Sequence, residues 1–424
     1  MARVPVVLPR RMLAVACALL VLCAASGCRA QEVVVAQAAP ATEPKPDVNP
    51  KLTTANTQFG FALFAELRNG EPEHNVFISP TSIATALAMT YNGAAGETKT
   101  AMAKALSLGD LSLQESNQAH ADLRQALERT EPGIELHTAN SLWVRQGCAF
   151  EQPFLQANQD CYGAKLAEMD FSRPGAADTI NAWVREATKD RIEDIVESPL
   201  DPMTVLILIN ATYFKGDWQH PFEKRHTQDG PFTLPDGSQK PVPMMSQMED
   251  FAYLRGKGFQ AVSLPYGKGD MSMYVFLPDQ GSSLAAFCGS LNAAENWDAW
   301  MKEFHSTQVE LKLPRFTLRY DTVLNAALSA LGMGIAFDSR KADFSNMGPP
   351  PLWISKVRHK AFVQVDEKGT EAAAATAVQM VGAAAPAAIV PFVVDRPFFW
   401  AIRDHDTGAV LFMGVVVDPA EERV

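Results

Sequence analysis

The sequence predicts an α+β fold, with helices packed on largely antiparallel sheet in one domain over residues 52–420. Three observations predict it. Apolar residues recur at helical spacing through the first half, strand-like apolar runs crowd the second, and the two do not alternate as βαβ units require. No Pro/Gly-rich linker and no fixed-period repeat divides the domain. The 424 residues are 47% hydrophobic and 20% charged, which suits a folded globular chain. A formal net charge of −11 argues against nucleic acid as a partner, since that needs a basic footprint.

The N-terminus reads as a targeting segment. Arg10 and Arg11 precede an apolar run from Met12 to Ala25 that is short for a membrane span, so residues 1–27 predict a signal peptide. Ala25-Ser26-Gly27-Cys28 resembles a bacterial lipobox, in which Cys28 would be lipidated. Ala25 stands where Leu is usual, so ordinary signal cleavage is the alternative. Residues 28–51, rich in Ala, Pro, Val and Gln, predict a flexible tether. The expectation is an exported protein, lipid-anchored at the outer membrane, cell surface or periplasm, or secreted free. Membrane contact is expected only through that anchor. Three of the six cysteines (Cys17, Cys23 and Cys28) fall in the leader. Export permits a disulfide between Cys148 and Cys161, and burial as small apolar side chains is the alternative for these two and Cys288.

Within the domain, Phe59, Leu63, Phe64 and Leu67 share a helical face that stops at Asn69-Gly70. Asn75–Ala94 predicts a short strand and then a helix from near Pro80 to before Gly93. Further helices are predicted at 97–107, 115–130, 153–162, 176–196 and 320–331. Strands are predicted at 134–145, 203–214, 241–255, 258–265, 271–277, 307–319, 352–365, 397–403 and 409–417.

A search for catalytic machinery finds little. The eight histidines are scattered, and there is no H-E-x-x-H, G-x-S-x-G, P-loop or G-x-G-x-x-G after a strand. Each histidine reads as structural or surface, and no enzyme, metal or cofactor is expected.

The most distinctive stretch is DEKGTEAAAATAVQMVGAAAPAAIVPF, Asp366–Phe392, with ten alanines. Just upstream and through it, ISKVRHKAFVQVDEKGTEAAAAT (Ile354–Thr376) closely resembles the segment leading into the reactive-centre loop of the serpins. DRPFFWAIRDHDTGAVLFMGVVVDP (Asp395–Pro419) resembles their C-terminal strands. NVFISPTSI (Asn75–Ile83), TINAWVREATKDRIEDIV (Thr179–Val196), NATYFKGDWQHPFE (Asn210–Glu223) and PVPMM (Pro241–Met245) also match, in the family's order. Asp190 and Trp400 stand where other residues are commoner in the family.

The resemblance implies three β-sheets with about nine helices and an exposed reactive-centre loop, here about 367–392. It implies a serine protease inhibitor whose loop baits the protease into a covalent acyl complex. The loop then inserts into the main sheet and the protease is carried along, distorted. The expected partner is a target serine protease, met by a monomer without cofactor. The helix near Ser112–Thr130 mixes Arg124 and Arg129 with Glu115, Asp122 and Glu128, so no glycosaminoglycan cofactor is expected.

The hinge implied by the resemblance is Gly369, Thr370, Glu371, Ala372, Ala373, Ala374, Ala375 and Thr376. Period-two alternation puts Thr370, Ala372, Ala374, Thr376 and Val378 on one face, all small or β-branched and uncharged. That face can enter a core without desolvating a charge, while Glu371 and Gln379 fall on the other. A plain linker would account for the alanines but not for this partition. Counting from the hinge glycine as the family does puts the scissile residue at Ala383, with Ala384 and Ala385 as close alternatives, and Met380 or Val381 if the register is shorter. No Arg or Lys lies between Glu371 and Arg396, so elastase-like or subtilisin-like targets are expected.

Ser79, Ser82, Asn210 and His359 match the family's shutter, the polar patch where strands part, and Trp218 matches the breach where insertion begins. Ordinary satisfied core residues are the alternative reading of each. At the level of function, the alternative is a non-inhibitory serpin acting as a binding or chaperone-like module.

Overall fold

The computed structural model describes residues 47–128, 133–291, 294–370 and 389–421. All of these belong to one unit, Lys45–Val424. The signal segment, Cys28, Glu371–Thr376 of the hinge and the scissile candidates Ala383, Ala384 and Ala385 lie outside the described residues.

Nine α-helices are present among the described residues: α1 (Pro50–Gly70), α2 (Pro80–Tyr91), α3 (Gly96–Ala105), α4 (Leu113–Leu127), α5 (Gln152–Ala157), α6 (Ala176–Ala187), α7 (Leu284–Leu291), α8 (Ala294–Glu303) and α9 (Asn325–Leu328). The first strands are β1 (Val76–Ile78), β2 (Ile134–Arg145), β3 (Lys165–Met169), β4 (Leu206–Asp217), β5 (Gln228–Thr233), β6 (Gln239–Gly256), β7 (Phe259–Tyr266) and β8 (Met271–Pro278). They are followed by β9 (His305–Pro314), β10 (Phe316–Val323), β11 (Lys356–Val365), β12 (Gly369–Thr370), β13 (Val390–Val393), β14 (Phe398–Asp404) and β15 (Val410–Val416).

One sheet has six strands in the order β10-β11-β4-β2-β3, with β12 on β4. The other has nine, β1-β15-β14-β8-β7-β6-β9-β13, with β5 on β6. The 18-residue β6 pairs β5 and β9 along most of its length and β7 only at its C-terminal end. The three sheets implied by the resemblance are therefore one six-stranded sheet and two limbs joined through β6.

Local chemistry explains several boundaries. Asn49 caps α1, its side-chain oxygen accepting from the Lys51 amide at 3.0 Å, and Pro50 opens the helix. This places the helix start before residue 52. Ser112 and Glu115 form a reciprocal capping box at the head of α4.

Three expectations are corrected. The helix expected over 176–196 ends at Ala187, because Lys189 and Asp190 turn left-handed at φ 49° and 61° and the chain runs on irregularly. The strand expected over 307–319 is two strands, broken at Arg315, whose amide donates to the Pro243 carbonyl. The helix expected over 320–331 starts only at Asn325, because Tyr320 to Val323 remain paired with Ala361 to Arg358.

The six-stranded sheet is covered on both faces. On β4, Leu206, Leu208 and Phe214 enter the main core. Ile207, Ile209 and Ala211 face a second cluster formed with Ile180 and Val184 of α6 and with Ile192, Ile195 and Val196 beyond it. The period-two partition of β4 therefore separates a core face from a face covered by α6 and the segment 188–204.

Cys148, Cys161 and Cys288 are free thiols. The pairing considered for Cys148 and Cys161 is not formed: Cys148 follows β2 in a turn whose amide bonds Arg145, and Cys161 sits in a π-helical turn over Asn158–Tyr162. Both pack separately against the core as apolar side chains.

Candidate functional site

The site is the upper end of the seam between β4 and β11. These strands run parallel and stay paired from Ile207/Lys356 to Tyr213/Phe362. Above that the seam opens. β11 continues to Val365, the chain turns through Glu367 and Lys368, and Gly369–Thr370 returns antiparallel to β4, with Gly369 opposite Asp217 and Thr370 opposite Gly216. The other edge of β4 is already occupied, since Gly216 pairs with Ile134 of β2. The two hinge residues therefore occupy the edge that β11 has left.

The turn is held at every corner. Asp366 and Gly369 exchange backbone hydrogen bonds of 2.9 and 3.3 Å, and the Asp366 carboxylate accepts from the Lys368 amide at 2.9 Å. The amides of Trp218 and Phe222 donate to the carbonyls of Lys368 and Glu367 at 2.8 and 2.7 Å. Trp218 Nε1 donates to the Asp366 carbonyl at 2.9 Å, and its ring stacks on Tyr266 with centroids 4.5 Å apart. Tyr266 in turn places its hydroxyl 2.8 Å from that of Thr370, which is fully buried. Gly369 adopts φ +150°, and a Cβ there would lie 2.0 Å from the Gly216 carbonyl oxygen.

Glu367 is nearly buried, and the Arg315 guanidinium and the Thr227 hydroxyl (2.6 Å) both donate to the same carboxylate oxygen. Burial works to raise this carboxyl, but the donors outweigh it and hold the group below its ordinary range.

Lower on the same seam lies a buried polar network. The Asn210 amide donates to Ser82 Oγ and, at 2.6 Å, to Asn140 Oδ1, while Thr212 donates to Ser82 at 2.7 Å. With its nitrogen so committed, Asn210 Oδ1 accepts from His359 Nδ1 at 2.6 Å, which fixes that imidazole as the Nδ1–H tautomer. His359 Nε2 is buried without a partner among the described residues, and burial pushes the ring's pKa down to about 3. Asn210 and His359 are opposite each other across β4 and β11, so their bond joins the two strands across the seam.

On the opposite face the segment 188–204 is strapped across the seam. Arg191 lies over the Tyr213 ring of β4 at 5.5 Å. From β11, Arg358 Nε donates to the Ile195 carbonyl at 2.8 Å and Lys360 Nζ to that of Asp194 at 2.7 Å. Asp321 of β10 pairs with both cations.

Of the residues singled out in the sequence, Gly369, Thr370 and Trp218 meet at the open end of the seam, and Ser82, Asn210 and His359 form the network below it. Ser79 stands apart: its hydroxyl donates to the Leu411 carbonyl at 2.6 Å and pins α2 to β15. Sequence reasoning missed Tyr266, Glu367, Arg315, Thr227, Asn140 and Thr212. Only Glu367 carried a signal, as an acid two residues before the hinge glycine.

A family model described as "Serpin (serine protease inhibitor)" matches residues 54–419. Human Serpin B9 is 37% identical over 87% of this chain and 99% of its own length. Human leukocyte elastase inhibitor is 36% identical over 87% of this chain and all of its own length. Among solved structures, the thermophilic serpin tengpin in its native state superposes with TM-score 0.81 at 32% identity, covering 88% of this chain and 96% of its own. Human thyroxine-binding globulin, complexed with thyroxine, superposes with TM-score 0.80 at 29% identity, over 88% of this chain and 99% of its own.

Proposed function

This chain belongs to the serpin family, and on that premise we propose that it is an inhibitor of serine proteases working by loop insertion. The observation that carries the reading is the pairing of Gly369 and Thr370 with β4 on the edge vacated by β11. Insertion extends this antiparallel start down the seam, each added residue exchanging water for backbone partners on both sides. The protease attacks at Ala383, or at the neighbouring Ala384 or Ala385, and these small residues fit the shallow primary pocket of elastase-like or subtilisin-like enzymes. The name of the human leukocyte elastase inhibitor supports that choice. The inhibitor acts as a monomer without cofactor. It is exported, with Cys28 as a lipid anchor or with the leader cleaved and the protein secreted.

The likeness to thyroxine-binding globulin favours a second reading, a ligand-binding serpin that does not inhibit. Thr370, small and uncharged at the first inserted position, favours inhibition.

Incubation with elastase-like, subtilisin-like and trypsin-like proteases tests the proposal. An SDS-resistant complex with the first two classes is expected. Cleavage of the loop by all three without any such complex, and with no gain in thermal stability afterwards, would instead establish the non-inhibitory reading.

A further inference from the structure

The uppermost closed rung of the seam is Tyr213 opposite Phe362. Period-two alternation sends Phe214 of β4 and Ala361 and Val363 of β11 into the main core. Tyr213 and Phe362 therefore point to the other face, the one that α6 and the segment 188–204 cover lower down. They are 1% and 7% exposed, yet among the described residues neither belongs to the main core or to the cluster beneath α6.

What lies beside and over them is a row across four strands. His137 of β2 is opposite Tyr213 and stacks on it, with centroids 6.1 Å apart and planes at 4°. Tyr213 stacks on Phe362 at 6.2 Å and 23°. Arg319 of β10 is opposite Phe362 and holds its guanidinium over that ring at 4.9 Å, as Arg191 does over Tyr213 at 5.5 Å.

Gly216, opposite Thr370, lies three residues above Tyr213, and Asn210, opposite His359, lies three below. A strand growing down the seam from Thr370 meets the ring pair first and the polar network second. Neighbouring strands stand about 4.8 Å apart, so a strand between β4 and β11 doubles their spacing to about 10 Å. The two rings then leave the range of about 4.5–7 Å in which aromatic pairs attract. Their contact exists only while the seam is closed, so its whole attraction opposes opening, whereas a core contact kept in both forms favours neither.

We infer that Tyr213 and Phe362 are positioning residues that form an outer clasp, and that breaking this clasp is the first step by which the seam admits a strand. The inference rests on the insertion mechanism proposed above. The seam then has two closures of different chemistry on opposite faces: stacked rings under guanidiniums above, and the Asn210–His359 bond below. Arg191 ties the clasp to the segment 188–204 and Arg319 ties it to β10.

Leucine at either ring keeps the position apolar and removes the stack. Tyr213→Leu and Phe362→Leu are each expected to lower the melting point of the native full chain and to form polymer on mild heating about fivefold faster. The double variant should be no faster than either single, because one ring without the other clasps nothing. Tyr213→Phe, which keeps the ring, should stay near wild type. Arg319→Gln alters an exposed side chain, leaves both rings in place and should quicken polymer formation about twofold. Once the loop has been nicked, all variants should melt with wild type, and the share of Leu-variant inhibitor lost as cleaved substrate to an elastase-like protease should not rise. A double-variant effect equal to the two singles combined, or a melting loss as large in nicked as in native protein, would overturn the clasp. Failure of the insertion reading looks different: wild type then traps no protease and gains no thermal stability on nicking, while native melting points still show whether the rings are coupled.

Discussion

The Thr370 hydroxyl lies 2.8 Å from the Tyr266 hydroxyl, inside the protein and above the point where β4 and β11 part. The first residue beyond the hinge glycine is thus already a member of the sheet. On the mechanism proposed above, insertion would begin from this seeded state and would not have to nucleate a strand in water. Tyr266 is one wall of the slot, and the absence of a side chain at Gly216 admits it, since a Cβ there would sit 2.7 Å from the ring.

Thr370→Arg places a charge in that slot. An unpaired buried guanidinium costs several kcal/mol, so the hinge is expelled. The variant is expected to be cut by the target protease as an ordinary substrate. Wild-type yield of SDS-resistant complex from this variant would sink the alternation argument.

Gly369→Ala acts by a different route. The added Cβ collides with the Gly216 carbonyl at a backbone angle that L-residues rarely adopt. The hinge should still leave the sheet freely but re-enter it slowly. More inhibitor molecules are then consumed as cleaved substrate per protease trapped, which active-site titration of the protease measures directly.

Arg315→Ala removes the cation from Glu367 and leaves a nearly buried carboxylate with Thr227 as its one remaining side-chain donor among the described residues. The turn 366–369 should loosen, and native gels after mild heating should show polymer forming faster than in wild type. Glu367→Gln, which keeps the shape and an acceptor for Thr227, is expected to have the smaller effect. Equal rates in all three proteins would remove Glu367 from the hinge lock.

Asn210→Ala deletes the node of the buried network between β4 and β11 and strands the His359 Nδ1–H. Losing several buried hydrogen bonds at once costs about 2–4 kcal/mol, read as a lower urea midpoint. The same network sets a pH response. His359 sits at about 3 when folded against an ordinary 6.5, so the unfolded chain takes up the proton first as pH falls. Its contribution is complete above pH 6.5 and is lost below it, at up to about 1.4 kcal/mol per pH unit. His120 titrates in the same direction and window. Glu367, held below 4.5, contributes its share above that value and loses it only below, so the earlier loss belongs to the histidines. Midpoints for wild type and His359→Gln at about pH 7 and about pH 5 should differ in slope, the variant being flatter.

Much of this architecture was legible from residue order. The strands over β7, β8, β14 and β15 are continuous apolar runs bounded by turn residues, and they were placed within one or two positions. Elements whose identity depends on a neighbour were misjudged. Tyr320–Val323 lies in a stretch that reads as helix, yet it stays extended because β11 offers a ladder. Segment 188–204 carries an apolar pattern that continues α6, but its apolar residues, Ile192, Ile195 and Val196, are set on the sheet face by Arg358, Lys360 and the left-handed pair Lys189–Asp190. β3 and β5 went unread because short half-exposed strands carry little period-two contrast.

For the site, sequence alone determined which residue types could move between water and a core: a glycine pivot, then threonine and alanines on one face without charge. Such information is local, a matter of side-chain size, charge and period. Which groups receive the hinge was decided only by tertiary structure. Tyr266, Arg315 and Thr227 stand between 54 and 142 residues before Gly369 and are brought to the turn by strand pairing, while Asn140, in the network below, stands 229 residues before it. No local pattern marks them, because the property they share is a position in space and not a place in the chain.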